Sequence, residues 1–226
     1  MFDVVLLMAG SGTRTGLPYN KMFYKINNRP LFLYSLEAFI NIDGCSQIVL
    51  VASEKEKDLV FDLVKHYPQK KIKVVVGGKM RQDSVACGVL ACQEELVLIH
   101  DGARCFIQKP DILNLLASLN NHFCATLAIP VTDTIRLQAP NGYTLLDRTK
   151  LMAMQTPQAV NRSRYLEAYE IAKKEGFYGT DDVALLEHCL GMKPILVLGN
   201  PENIKVTTAF DLEIAKAYFQ GGKHEL

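Results

Sequence analysis

The stretch Val4–Lys21, VVLLMAGSGTRTGLPYNK, gathers residues suited to holding a polyphosphate. The apolar run Val4–Met8 leads into Ala9-Gly10-Ser11-Gly12, four residues without a bulky side chain. Small residues let the backbone turn tightly and bring its N–H groups close to a ligand. Arg14 and Lys21 follow, and exposed N–H groups beside two cations match the chemistry of phosphate oxygens. The glycines at 10, 12 and 16 read G-x-G-x-x-x-G, one position off the dinucleotide fingerprint, and no acidic residue about 20 positions on ends a second strand. The P-loop pattern is missing too. On this stretch alone, an ordinary strand-to-loop turn with surface cations is the alternative.

Further along, Gly77-Gly78-Lys79-Met80-Arg81-Gln82-Asp83-Ser84-Val85 can cradle a ligand by its backbone, with Asp83 and Ser84 free to hydrogen-bond; a glycine turn before a helix reads the same way. Asp101, in HDGAR, can hold a divalent cation or a ribose hydroxyl, or else cap a helix or pair with Arg104. Lys205 stands between Ile204 and Val206, so its ammonium must snorkel out or meet an anion. His100 follows four apolar residues and reads as a satisfied core histidine. No His, Cys and Asp cluster has zinc spacing, and no G-x-S-x-G marks a serine nucleophile. An inventory of cations and small-residue loops without a nucleophile suits phosphoryl or nucleotidyl transfer, where catalysis is mostly positioning and charge stabilisation.

The elements that must carry these residues alternate. Val4–Met8, Gln47–Ala52, Ile72–Val76, Leu96–His100 and Ala125–Ile129 read as strands; Pro30–Phe39, Glu54–His66, Arg81–Gln93 and Pro110–Leu119 read as helices. Such alternation predicts an α/β fold with a doubly wound, mainly parallel sheet, whose ligands sit at the carboxyl ends of the strands. The ligand-like loops follow strands one, three and four, as that rule requires. The pattern breaks at Val131. Val131–Leu137 and Tyr143–Leu146 flank Pro140-Asn141-Gly142, a hairpin signal, and a hairpin inserted here is a lid or an oligomer arm. Helices return at Arg162–Lys174, capped by Asn161, and from Thr180-Asp181-Asp182 through Leu190. A strand at Pro194–Leu198, a shorter one at Ile204-Lys205-Val206 and a closing helix at Ala209–Phe219 complete a single domain, 1–226, with one β-arm at about 131–148.

Composition excludes several classes. With 49% hydrophobic and 22% charged residues, a sizeable core is expected and disorder is not. A net charge of +1 provides no field for general nucleic-acid binding. No apolar run reaches the length of a membrane span. Six cysteines without paired spacing, and no basic leader, predict free thiols in a reducing cytosol. On that reading the Asn161-Arg162-Ser163 sequon and the terminal Lys223-His224-Glu225-Leu226 carry no meaning.

Taken in order, MAGSGTR…NK, GGKMRQDSV, HDGAR, PVTDTIR, LDR…QTPQ, TDD…E and NIKVT resemble the motifs of the 2-C-methyl-D-erythritol 4-phosphate cytidylyltransferases, from Val4 to about Tyr218. That family makes CDP-methylerythritol from CTP in the non-mevalonate isoprenoid pathway. The resemblance implies a Rossmann-like nucleotidyltransferase in which Met8, Ala9, Gly10, Ser11, Gly12, Gly78, Ser84, Asp101 and Gly102 hold CTP, the cytosine lying near Gly78 and Ser84. It implies four catalytic cations: Arg14 and Lys21 on the transition state and departing pyrophosphate, Arg148 and Lys205 on the methylerythritol phosphate. Arg104, Thr134, Thr156 and Thr180 would line the sugar-phosphate site, Asp101 would meet the ribose or Mg²⁺, and the hairpin would be the arm of a homodimer. This chain departs from the family at Met8 and Gly102, where alanines are usual, at Lys79, where an acidic residue is common, and at Thr132, where arginine is frequent. Ribitol-5-phosphate cytidylyltransferase is a sibling with the same loops, but Asp133-Thr134-Ile135-Arg136 and Leu146-Asp147-Arg148 favour methylerythritol phosphate. A non-catalytic nucleotide-binding relative is a further alternative, although it would not need Arg14, Lys21 and Lys205 together.

Overall fold

The computed structural model describes residues 1–10, 15–68, 71–120 and 122–221. Its strands are β1 (Phe2–Leu7), β2 (Lys25–Ile26), β3 (Arg29–Pro30), β4 (Cys45–Ala52), β5 (Ile72–Val76), β6 (Leu96–Asp101), β7 (Cys124–Pro130), β8 (Arg136–Ala139), β9 (Gly142–Leu145), β10 (Met152–Asn161) and β11 (Ile195–Leu198). Its helices are α1 (Leu31–Ile40), α2 (Lys57–Val64), α3 (Arg81–Ala91), α4 (Lys109–Ser118), α5 (Arg162–Glu175), α6 (Asp182–Leu190) and α7 (Ala209–Gln220).

Alternation along β1 explains the layering. Val4 and Leu6 point to one face of the sheet and Val5 to the other, and all three are fully buried. The first face packs Leu31, Phe32 and Leu36 of α1, Val60 and Val64 of α2, Ile112 and Leu115 of α4, and Leu212 and Phe219 of α7. The second packs Val85 and Val89 of α3, Tyr165 and Ala168 of α5, and Leu185 and Leu186 of α6. A strand covered on both faces has no polar side to show, which is why β1 and β4 read as continuous apolar runs.

The main sheet runs β11-β7-β10-β6-β1-β4-β5. β1 pairs in parallel with β4 and β6, β4 with β5, and β11 with β7. The expected mainly parallel, doubly wound sheet is therefore present. One strand was missed: β10 lies antiparallel between β6 and β7, in the middle of the sheet. Its register slips between Met154 and Gln158, and Pro157 sits inside that irregularity behind a cis Thr156–Pro157 bond. A proline has no N–H to give a ladder, so it is tolerated centrally only where the pairing is already broken.

A second expectation is corrected. Ile204-Lys205-Val206 is not a strand; the segment crosses the ends of the strands, tied by Val206 N–H donating to the Ala103 carbonyl at 2.8 Å. The hairpin exists, with β8 and β9 joined by the two-residue turn Pro140-Asn141 and paired from Arg136–Leu145 to Ala139–Gly142. Gly142 takes a φ of +129°, which favours glycine. Among the described residues, no helix is long and apolar enough to cross a membrane.

Candidate active site

Three strand ends open into a cavity of about 450 Å³. Met8, Ala9 and Gly10 follow β1, Gly78, Lys79 and Met80 lead from β5 to α3, Arg81 and Ser84 stand at the start of α3, and Asp101 ends β6; Lys21 and Lys205 complete the wall. The sequence-predicted Met8, Ala9, Gly10, Lys21, Gly78, Ser84, Asp101 and Lys205 thus meet in one place. Ser11, Gly12 and Arg14 lie outside the described residues.

Each wall has a local cause. Asn20 donates through Nδ2 to the Met8 carbonyl at 2.8 Å and to Glu56 at 3.2 Å, while its Oδ1 accepts from the Met22 N–H at 3.1 Å. Those bonds start the short 3₁₀ turn Lys21–Phe23 beside the β1 loop and hold Lys21 at the cavity. Gly78 is glycine for space: a Cβ there would lie 2.3 Å from the Asp83 Cβ. The loop closes on the start of α3, where Asp83 accepts from the Met80 N–H at 3.2 Å and the Ser84 hydroxyl donates to the Met80 carbonyl at 3.0 Å. Gly102 lies behind the wall, its N–H on the Leu7 carbonyl at 2.9 Å, where an added Cβ would come within 2.9 Å of the same oxygen.

Asp101 is the electrostatic centre. Its Oδ2 takes Lys205 Nζ at 2.8 Å and faces Arg104 Nε at 4.0 Å, and its Oδ1 faces Arg81 Nη2 at 3.5 Å. Burial pushes its carboxyl up, but Arg81, Lys205 and Arg104 outweigh that and bring it down to about 2. Behind it, the Asp101 N–H donates to Thr156 Oγ1 at 3.1 Å, and that hydroxyl meets His100 Nδ1 at 3.0 Å. His100 Nε2 lies 3.1 Å from the Arg104 carbonyl, which can only accept, so Nε2 carries the proton and Nδ1 accepts from Thr156. Complete burial lowers His100 to about 4, and the tautomer its partners require also opposes protonation. His100 is the satisfied core histidine its setting suggested.

Of the expected sugar-phosphate residues, Arg104 and Thr156 lie beside Asp101, while Thr134 and Thr180 are placed away from the cavity lining. Thr156 does not line the cavity; its hydroxyl is spent bracing Asp101 from behind. Arg104 donates to the Asn203 carbonyl at 2.8 Å, behind Lys205. Thr180 is not among the residues lining the cavity, and Thr134 lies on the exposed approach to the arm. Arg148 is exposed, donating to the Thr132 carbonyl at 2.7 Å.

Sequence reasoning overlooked Arg81, Asp182, Asn203 and Gln155. Arg81 lines the cavity and stands three positions before Ser84, so the two share one face of α3; that spacing was the available signal. Asn203 and Gln155 hold the segment under Lys205. Asn203 Nδ2 donates to the Thr156 carbonyl at 2.9 Å, and Gln155 Nε2 donates to the Asn200 carbonyl at 2.9 Å. Among the described residues, one trio could ligate a metal, Glu175, His188 and Cys189 at the ends of α5 and α6, and none of the three lines the cavity.

A cavity of this make-up suits a nucleoside triphosphate: backbone and small residues on one side, cations on the other, and one fixed carboxylate between them. A family model described as IspD: 2-C-methyl-D-erythritol 4-phosphate cytidylyltransferase matches residues 2–221. The 2-C-methyl-D-erythritol 4-phosphate cytidylyltransferase of Bacillus licheniformis is 39% identical over 225 residues, covering 98% of this chain and 97% of that one. The enzyme of the same name from Shouchella clausii is 39% identical over 228 residues, covering 100% and 99%. Among solved structures, the 4-diphosphocytidyl-2C-methyl-D-erythritol synthase of Anaerococcus prevotii superposes with a TM-score of 0.87 at 28% identity, covering 97% of this chain and 96% of that one. With a family model spanning nearly its whole length and relatives well above 30% identity end to end, the chain belongs to the 2-C-methyl-D-erythritol 4-phosphate cytidylyltransferase family.

Proposed function

We propose that this chain is a nucleotidyltransferase that moves the CMP unit of CTP onto 2-C-methyl-D-erythritol 4-phosphate, giving CDP-methylerythritol and pyrophosphate. The observation that carries this reading is the cavity itself, in which Lys21, Arg81 and Lys205 surround small-residue loops and Asp101. A phosphate oxygen of the methylerythritol phosphate attacks the α-phosphorus of CTP. A new P–O bond forms, the α–β bridging bond breaks, and its electron pair leaves with pyrophosphate. Lys21, and Arg14 by family resemblance, offset the charge that grows on the α-phosphate and the leaving group. Lys205, steered by Asp101, meets the incoming phosphate, with Arg148 as its second cation. The Met8–Gly10 backbone, Gly78 and Ser84 hold the nucleotide and exclude water from one side.

Mg²⁺ is the cofactor of this reading. Asp101, the carboxylate in the cavity lining, would hold the ion, its oxygens now facing Arg81 and Lys205. When bound, the ion would supply positive charge that offsets that of the phosphates.

The whole of 1–226 acts as one domain whose arm makes a homodimer. Support comes from β8 and β9, exposed throughout, with Leu137, Tyr143 and Leu145 among the exposed large apolar side chains. A dimer would let the arm bring Arg148 and Thr134 to the partner's cavity, which this chain's own geometry does not do. The cytosol is the setting we assign, in keeping with six free cysteines.

Pyrophosphate release from CTP and Mg²⁺ tests the proposal, with methylerythritol phosphate and ribitol 5-phosphate supplied separately. Release with the first alone is expected. Release with the second alone moves the substrate to the teichoic-acid precursor, and release with neither, alongside CTP binding, leaves a nucleotide-binding relative.

A further inference from the structure

Three consecutive residues at the start of α3 reach across to α5, α6 and the segment between them. Arg81 donates through Nη1 and Nη2 to Asp182 Oδ1 and Oδ2 at 3.0 and 2.8 Å. Gln82 donates to the Phe177 carbonyl at 3.2 Å and accepts from the Gly179 N–H at 2.9 Å. Asp83 accepts from the Tyr169 hydroxyl at 3.0 Å. The first turn of α3 is therefore clamped to α5, α6 and the segment between them.

Asp182 bears the charge in that clamp. Its side chain is 2% exposed, and a carboxylate so deep requires a partner. The planar fork of Arg81 supplies one in the bidentate geometry that fixes a guanidinium best. Tyr165 adds a hydroxyl at 3.4 Å, and Gln158 holds the Asp182 backbone N–H at 2.9 Å, so the carboxylate cannot follow Arg81 if Arg81 moves. Burial raises the Asp182 carboxyl above its ordinary value, and the two-point contact with Arg81 opposes that rise. Arg81 also faces Asp101 at 3.5 Å. Without Asp182, the guanidinium would turn to Asp101 and compete there with Lys205.

We infer that Asp182 is a positioning residue for the nucleotide: it fixes Arg81 in the cavity wall and thereby sets how tightly the triphosphate binds, although it does not line the cavity itself. The inference rests on the reading of this cavity as the CTP site. Asp182→Asn keeps the shape and removes the charge. CTP affinity by calorimetry is expected to fall about tenfold or more, the size of a lost hydrogen bond between charged groups. The KM for methylerythritol phosphate should stay within about twofold. Adding Asp182→Asn to Arg81→Gln should cost little more than Arg81→Gln alone, because Asp182 acts through Arg81. Unchanged CTP affinity in a folded Asp182→Asn protein, or two fully additive losses, overturns the inference, since a merely structural role would lower the Tm and leave CTP affinity alone. Should Asp182→Asn not fold, Arg81→Lys removes the fork and keeps the charge, and the same weakening is expected; unchanged affinity there is equally decisive. A wild-type chain that binds no CTP overturns the CTP-site reading and this inference with it, whereas normal wild-type binding with indifferent variants overturns the inference alone.

Discussion

The cavity and the β8–β9 arm are built in opposite ways. Around the cavity, charged side chains answer one another inside the chain: Asp101 serves Lys205, Arg81 and Arg104, and Asp182 serves Arg81 again. Along the arm, every residue of β8 and β9 is exposed, and the apolar ones have no core to enter. The charge pairs of the first region close within the chain, while the apolar side chains of the second lie exposed. A site whose charges are already paired is preorganised for charge that develops later. An exposed apolar hairpin gains its stability from whatever covers it.

The contrast can be broken at the cavity first. Lys21→Ala should lower kcat by roughly 10²–10³, the usual size for removing one transition-state donor, with CTP affinity far less affected. Single-turnover pyrophosphate release checks it, and near-normal turnover would remove Lys21 from the chemistry.

Next comes the buried floor beneath the cavity. His100 titrates near 6.5 when unfolded and near 4 when folded, so the unfolded chain takes up its proton first as pH falls. Stability from this group is full above about pH 6.5, is lost progressively down to about 4, and changes no further below that. The loss amounts to about 3 kcal/mol. Asp101, held down to about 2, adds a separate loss only between the ordinary carboxylate range and that value. Urea unfolding across pH 4–7 should reveal the first slope, and His100→Gln should flatten it; an unchanged slope in that variant assigns it elsewhere.

At the arm's base, Arg148→Ala should raise the KM for methylerythritol phosphate by about tenfold, as for one charged hydrogen bond, and leave CTP binding intact. A lost CTP affinity instead would attach Arg148 to the nucleotide half. The smallest effect belongs to β9 of the arm. Tyr143→Ser with Leu145→Ser should change the unfolding free energy of the isolated chain by under about 0.5 kcal/mol, as for exposed positions. The same pair should shift the sedimentation profile from dimer to monomer, and a profile that stays dimeric removes the arm from the interface.

Most of the layered fold was legible because buried parallel strands advertise themselves. β1, β4 and β6 are apolar runs ended by small or charged residues, and α1 begins directly behind Pro30. β10 was illegible because Gln155, Thr156, Pro157 and Gln158 deny it both apolar continuity and a complete ladder, and its partners β6 and β7 come from before the arm. Ile204–Val206 misled in the other direction: two apolar residues flanking a lysine look like strand alternation, but the lysine is turned to Asp101 by one backbone bond at Val206. The cations at the site announced themselves by type. Their partners did not, because Asp182 lies 101 positions from Arg81 and no local pattern links them.

The antiparallel placement of β10 has a consequence for the lengths that this chain can vary. The hairpin tip at Pro140-Asn141 is joined to the rest only through its own ladder, so residues can be added or lost there without disturbing anything beneath. From Met152 the same chain pairs with β7, and from Gln158 it is a central rung between β6 and β7, with Thr156 under Asp101 and Gln158 against α6. A single insertion between Met152 and Thr156 would turn each following side chain to the opposite face. Natural and engineered length variation should therefore collect at the tip and stop abruptly at Leu151.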